Sequence, residues 1–148
     1  MSASSIHFFT EDINYVIKQK RLLKEWLLSV IKNENYALQE LNFILCSDDY
    51  LLNLNQQYLD HDTYTDVITF DNSEQPKTVT GDIFISIDRV KENATTVKVL
   101  VNEELHRVMV HGTLHLLGYK DKSKAAKGQM TSKEDHYLGL LKKKLTEL

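Results

Sequence analysis

Two histidines four residues apart, His111 and His115, are followed by Gly118 and Asp121 in the run His-Gly-Thr-Leu-His-Leu-Leu-Gly-Tyr-Lys-Asp. In a helix, residues four apart lie about 40° apart around the axis, so both imidazoles leave one face and can grip one ion. Glycine accepts the left-handed backbone that turns a chain at a helix end. Asp121, three residues beyond Gly118, can then fold over that end as a third ligand. Three protein ligands leave a tetrahedral zinc one open position for water, the arrangement of catalytic rather than structural sites. That water is the expected catalytic group, and no side chain is assigned the role. A histidine pair alone also occurs on half-buried helix faces; the glycine and carboxylate at fitting offsets favour the ion. If Asp121 is instead only a turn residue, His136 or a residue elsewhere completes the set.

The position after the first histidine narrows the chemistry. In zinc peptidases of the H-E-x-x-H type it holds the glutamate general base. Here it is Gly112, which cannot take a proton. Peptide hydrolysis by that route is disfavoured, and the same geometry points to another substrate.

These residues sit in a chain of 148 residues, which fits one domain spanning residues 1–148 with a sizeable core. A hydrophobic content of 42% and a charged content of 26% are ordinary for a globular protein. The single cysteine, Cys46, forbids an internal disulfide and agrees with a reducing compartment. The first seven residues lack the basic and apolar segments of a signal peptide, and no apolar run approaches the ~20 residues of a membrane span. The expectation is a cytoplasmic protein with no membrane partner. The net charge of −3 gives no whole-surface basic field. Between Gly118 and Lys133, however, five lysines stand against one acid, Asp121. Such a run is most often a solvated loop, yet beside an ion site Lys120 and Lys122 are the candidates for contacting substrate phosphates.

The elements that must position this motif read as follows. Residues 6–10 form a β-prone run and a first strand, and residues 41–46 a second. Between them, residues 15–32 show helical spacing through Val16, Leu23, Leu27, Val30 and Ile31. Ser47 or Asp48 caps a helix through Leu51, Leu54 and Tyr58. Residues 66–70 and 82–87 are a third and a fourth strand, joined by a polar connection around Pro76. A helical pattern then runs from about 89 to 117, broken near 93–96, and carries both histidines in its last turns. A final helix from about Thr131 shows Leu138, Leu141, Leu145 and Leu148 on one side. The expected class is α+β: a four-stranded mixed sheet, helices packed mainly on one side, and a zincin-like helix bearing the metal site. Asp66 and Asp82 begin strands and read first as turn or amide-capping residues. Met130 reads as core. His7, His61 and His106 lack the partner spacing of the main pair; His106, about 140° from His111 around the helix, points elsewhere.

Four segments occur together in an order that resembles the YbeY family. They are His111 to Tyr119, Leu54-Asn-Gln-Gln-Tyr58, Thr65-Asp66-Val67 with Phe70, and Gly81-Asp82-Ile83 with Ser86. The resemblance implies a zinc-dependent endoribonuclease acting on single-stranded RNA in ribosomal RNA maturation and ribosome quality control. It implies association with the small ribosomal subunit and its factors, and one zinc per chain held at His111, His115 and position 121. Two positions depart from the family pattern. Asp121 stands where the family usually has histidine; a carboxylate oxygen is a permitted zinc ligand, but a harder one that loosens selectivity over manganese. Leu59 stands where many members carry an arginine, and leucine cannot clamp phosphate. Either Lys120 or Lys122 takes over that role, or the protein is a ribosome-associated binding factor with a structural metal and little catalysis. A metal-dependent hydrolase of peptides or small molecules is the third reading.

Overall fold

The computed structural model describes residues 5–59 and 65–147. Four strands form one sheet in the order β1-β2-β4-β3. Strand β1 (Ile6–Thr10) runs parallel to β2 (Ala37–Cys46), from Ile6 opposite Leu41 to Thr10 opposite Leu45. Strand β2 is also parallel to β4 (Thr78–Ser86), with a register shift between Leu38 and Glu40. The edge strand β3 (Val67–Asp71) pairs antiparallel with β4, which makes the sheet mixed. Parallel neighbours need long crossovers. Helix α1 (Lys20–Asn33) supplies the first, and α2 (Asp48–Leu59) together with β3 supplies the second.

Side-chain alternation gives the sheet two unlike faces. Leu38, Leu41, Phe43, Val79, Ile83 and Ile85 bury themselves against Trp26, Leu27 and Val30 of α1 and against Leu105, Val108 and Met109. Those last three belong to α4 (Val101–Leu116), which follows α3 (Ile87–Val97). Met130, Tyr137 and Leu141 of α5 (Lys124–Thr146) close the same core, so α1, α4 and α5 share it. The opposite face carries a smaller cluster under α2, in which Cys46, Leu51 and Ile68 are packed by Tyr50, Phe70 and Phe84. Four strands with helices mainly on one side is the expected architecture.

Several boundaries differ from the sequence reading. Helix α1 begins at Lys20, not near 15, because Gln19 adopts φ 61° and interrupts the helical path. Val16 is 81% exposed and belongs to no apolar face, so its spacing from Leu23 was coincidence. The break between α3 and α4 falls at 98–100, where Lys98 adopts φ 60°, later than the expected 93–96. Helix α5 starts at Lys124, well before Thr131, because the Ser123 side chain caps it by accepting from the Ala126 amide. The Ser47 cap of α2 is present, with its Oγ accepting the Tyr50 N–H at 3.1 Å. His61 and Leu148, and residues 1–4 of the leader reading, lie outside the described residues.

Two glycines let α4 lie close on the sheet. A Cβ at Gly81 of β4 would stand 2.7 Å from the Phe70 carbonyl oxygen and 3.0 Å from Leu116 of α4. From the helix side, a Cβ at Gly112 would stand 2.9 Å from Ile83 of β4 and 3.4 Å from Thr69 of β3. Each element therefore gives up a side chain where the other approaches.

On the far side of α4, His106 lines a groove of about 950 Å³ together with Leu100, Leu138, Leu141 and Leu145. Its ring stands edge-on to Trp26, 6.4 Å between centroids. Burial pushes the His106 pKa down to about 4. The unfolded chain therefore takes up this proton near the ordinary histidine value, and the folded chain only near pH 4. Stability from this group is complete above pH 6.5 and is lost as pH falls toward 4. The full shift corresponds to roughly 3 kcal/mol, which water reaching the half-buried ring reduces to about 2. Urea unfolding at pH 7 and pH 4.5 is expected to show this loss, and His106→Gln is expected to flatten it. An unchanged slope in that variant would assign the acid sensitivity to another group.

Candidate metal centre

The last two turns of α4 are apolar toward the sheet and carry His111 and His115 on the remaining side. Leu114 and Leu116 are buried, and the Thr113 hydroxyl returns to the Met109 carbonyl at 2.9 Å. Beyond Leu117 the chain turns through Gly118 at φ 96°, where any other residue would be strained. The turn is tied down by the Tyr36 hydroxyl donating to the Leu117 carbonyl at 3.0 Å. It brings Asp121 back to the histidines.

The three groups converge. His111 Nε2 and His115 Nε2 are 3.0 Å apart, and Asp121 Oδ2 lies 3.3 Å from the first and 3.2 Å from the second. Ligands about 2.0–2.1 Å from a tetrahedral zinc are separated by about 3.3 Å, so the triangle has the size of one face of such a site. Its chemistry agrees. His111 Nδ1 stands 2.5 Å from Glu134 Oε2, and His115 Nδ1 stands 3.0 Å from the Tyr119 carbonyl oxygen. Neither partner has a proton to give, so both Nδ1 atoms carry one and donate. Both Nε2 atoms then present lone pairs to each other and to a carboxylate. Three such atoms facing one point are a donor set that suits a cation. The residues fit a divalent metal.

The surroundings strengthen that polarity. Glu134 is only 6% exposed; its other oxygen accepts from Arg107 Nη1 at 2.8 Å, and Arg107 Nη2 donates to Asp135 at 2.8 Å. Burial works against charge on His111, but the bond and charge of Glu134, then the charges of Asp121 and Asp66, outweigh it and raise its pKa. This is the carboxylate–histidine–metal arrangement, in which the outer partner fixes tautomer and ring orientation.

Of the residues singled out by the sequence, the fold brings His111, His115 and Asp121 together. His136 is not the third ligand: it is exposed on α5 and packs edge-on to Tyr137. Lys120 and Lys122 flank Asp121, both exposed. Leu59 ends α2 with 43% of its surface exposed. Asp82 is engaged by Asn42 at 3.0 Å and Asn72 at 3.3 Å, a structural use. The sequence reading missed Glu134 and Arg107. They are separated by 27 positions and by a helix boundary, and no local spacing announces them.

A family model described as "Endoribonuclease YbeY" matches residues 5–142. A protein of that name from Cytophaga hutchinsonii is 53% identical over 142 residues, covering 96% of this chain and 99% of its own length. Another, from Amoebophilus asiaticus, is 45% identical over 138 residues, covering 93% and 94%. The solution structure of TM1509 from Thermotoga maritima superposes with a TM-score of 0.66 at 33% identity, covering 96% of this chain and 92% of that one.

Proposed function

This chain belongs to the endoribonuclease YbeY family, and on that premise we propose that it is a metal-dependent nuclease that cleaves single-stranded RNA during ribosomal RNA maturation. The observation that carries the reading is the convergence of His111 Nε2, His115 Nε2 and Asp121 Oδ2 within 3.3 Å of one another. One zinc per chain is the expected occupant. A bound divalent ion supplies Lewis-acid polarisation of a phosphate oxygen and makes nearby water more acidic.

The protein's own groups do the rest. Glu134 and the Tyr119 carbonyl accept from the two Nδ1 atoms and so keep both Nε2 atoms turned toward the ion. Gly112 offers no base, and both Glu134 oxygens are already engaged. The nucleophile is therefore a water or the RNA 2′-hydroxyl, and no side chain is assigned its proton. Lys120 and Lys122, exposed beside the third ligand, neutralise adjoining phosphates. In this reading residues 1–148 form one domain that works in the cytoplasm on the small ribosomal subunit. Among the described residues no helix is long and apolar enough to cross a membrane.

One observation favours a second reading. Leu59 presents an exposed apolar side chain at the end of α2. The alternative is a ribosome-associated factor that binds metal and RNA without cutting. Incubation with a single-stranded RNA and a matched duplex decides between them. The expected result is cleavage of the single strand alone, its loss after chelation, and recovery with zinc or manganese. Stoichiometric metal with intact RNA would establish the binding factor instead.

A further inference from the structure

Glu34 follows α1, and its side chain is only 11% exposed. It accepts from the Tyr119 hydroxyl at 2.6 Å, from Lys133 Nζ at 3.1 Å and from the Tyr137 hydroxyl. Burial disfavours a charge there, yet these donors and the Lys133 ammonium outweigh it and hold the carboxyl below its ordinary pKa. The far side of the cluster is closed by Asn33 Nδ2 donating to the Tyr137 hydroxyl at 3.0 Å and by the Trp26 indole on the Tyr137 carbonyl at 2.8 Å.

Two of the donors are next to the groups that orient the histidines. Tyr119 gives its side chain to Glu34 and its backbone carbonyl to His115 Nδ1. Lys133 gives its ammonium to Glu34 and immediately precedes Glu134, which holds His111 Nδ1. The ammonium also lies 5.7 Å from the Tyr119 ring centroid, so the two donors brace each other.

We propose that Glu34 is a positioning residue of the metal centre: its one carboxylate anchors both the Tyr119 carbonyl on His115 and the Glu134 carboxylate on His111. This rests on reading His111, His115 and Asp121 as the ion site. Glu34 touches neither ion nor substrate. It sets the spacing of the two Nε2 atoms by holding the turn after α4 and one face of α5 to the end of α1. A carboxylate suits the task because it takes three donors at once, one from the turn after α4 and two from α5. Outer partners of metal ligands typically govern affinity by about 10- to 100-fold.

The test is the zinc affinity of full-length Glu34→Gln, Tyr119→Phe and Asn33→Ala, measured against a chromophoric chelator on samples shown to be folded. Tyr119→Phe removes one hydroxyl and keeps the ring, so it reports even where Glu34→Gln fails to fold. The expected result is zinc binding weakened about 10- to 100-fold in Glu34→Gln and Tyr119→Phe. Asn33→Ala, which touches only the outer side of Tyr137, is expected to bind as the parent does. In the metal-free protein, long-range nitrogen–proton NMR is expected to show His115 protonated at Nδ1, and a mixture of tautomers in Tyr119→Phe. Unchanged zinc affinity in both variants, with lowered melting temperatures only, would make Glu34 a structural dock and overturn the proposal alone. Zinc binding by the parent that survives His111→Ala would overturn the ion site, and the anchor with it.

Discussion

Full-length protein carrying His111→Ala or His115→Ala is expected to lose its metal and to cut single-stranded RNA roughly 1,000-fold more slowly. The size follows from the several kcal/mol that Lewis-acid stabilisation contributes, at about 1.4 kcal/mol per tenfold in rate. Either change leaves two ligands where three converge, and two of the three edges of the donor triangle disappear with the missing nitrogen. The fold should survive. In His111→Ala the Glu134 carboxylate keeps its bond to Arg107, so no buried charge is orphaned. In His115→Ala the Tyr119 carbonyl loses a donor at a half-buried position that water reaches. Metal content, circular dichroism and RNA cleavage on the same preparations check all three points. A variant that is folded, metal-free and still cleaves at the parent rate would show that the ion is not the agent.

Gly112→Glu tests the relation to the zinc peptidases, since it restores their sequence pattern on this helix. The expected outcome is a damaged fold and no peptidase. The first carbon alone would stand 2.9 Å from Cγ2 and 3.2 Å from Cδ1 of Ile83. Overpacking of that kind costs about 1–3 kcal/mol, which is the expectation for Gly112→Ala. The glutamate adds an unpartnered carboxylate pressed toward the sheet, so the total should reach roughly 4 kcal/mol or more, a fall in Tm of about 10 °C. The first carbon at position 112 meets β4 and β3, so the carboxylate would leave from a surface packed on the sheet, and no peptidase activity is expected. Thermal melts and a peptide-library digest provide the check. A stable Gly112→Glu protein with peptide cleavage would refute this account of the helix–sheet contact.

The contrast marks what the sequence made legible. His111, His115, Gly118 and Asp121 are near neighbours along the chain, and helix geometry plus one turn suffices to bring them together. The strands were found where β-branched and aromatic residues are dense, as in Val67–Asp71. They were cut short where they are polar: Ala37–Glu40 belongs to β2 and Thr78–Gly81 to β4, held by pairing with each other rather than by their own propensity. Local caps likewise decided helix ends that periodicity misjudged, at Gln19 and at Ser123. Glu34 and Glu134 were invisible for a different reason. Each is an acid in a polar stretch, and its importance comes from partners 85 to 103 residues away for Glu34 and 23 to 27 for Glu134. Gly112 was read only as a missing base; its packing against Ile83 required the fold to be seen.

The order of these groups along the chain has a consequence for synthesis. The sheet is complete once Ser86 has been made, whereas the histidines, Asp121 and Glu134 all follow it. A polypeptide abandoned by the translation machinery before Glu134 can hold every strand yet lack the partner that aims His111. An unfinished product thus has the strands in its sequence before it has the helix that orients His111.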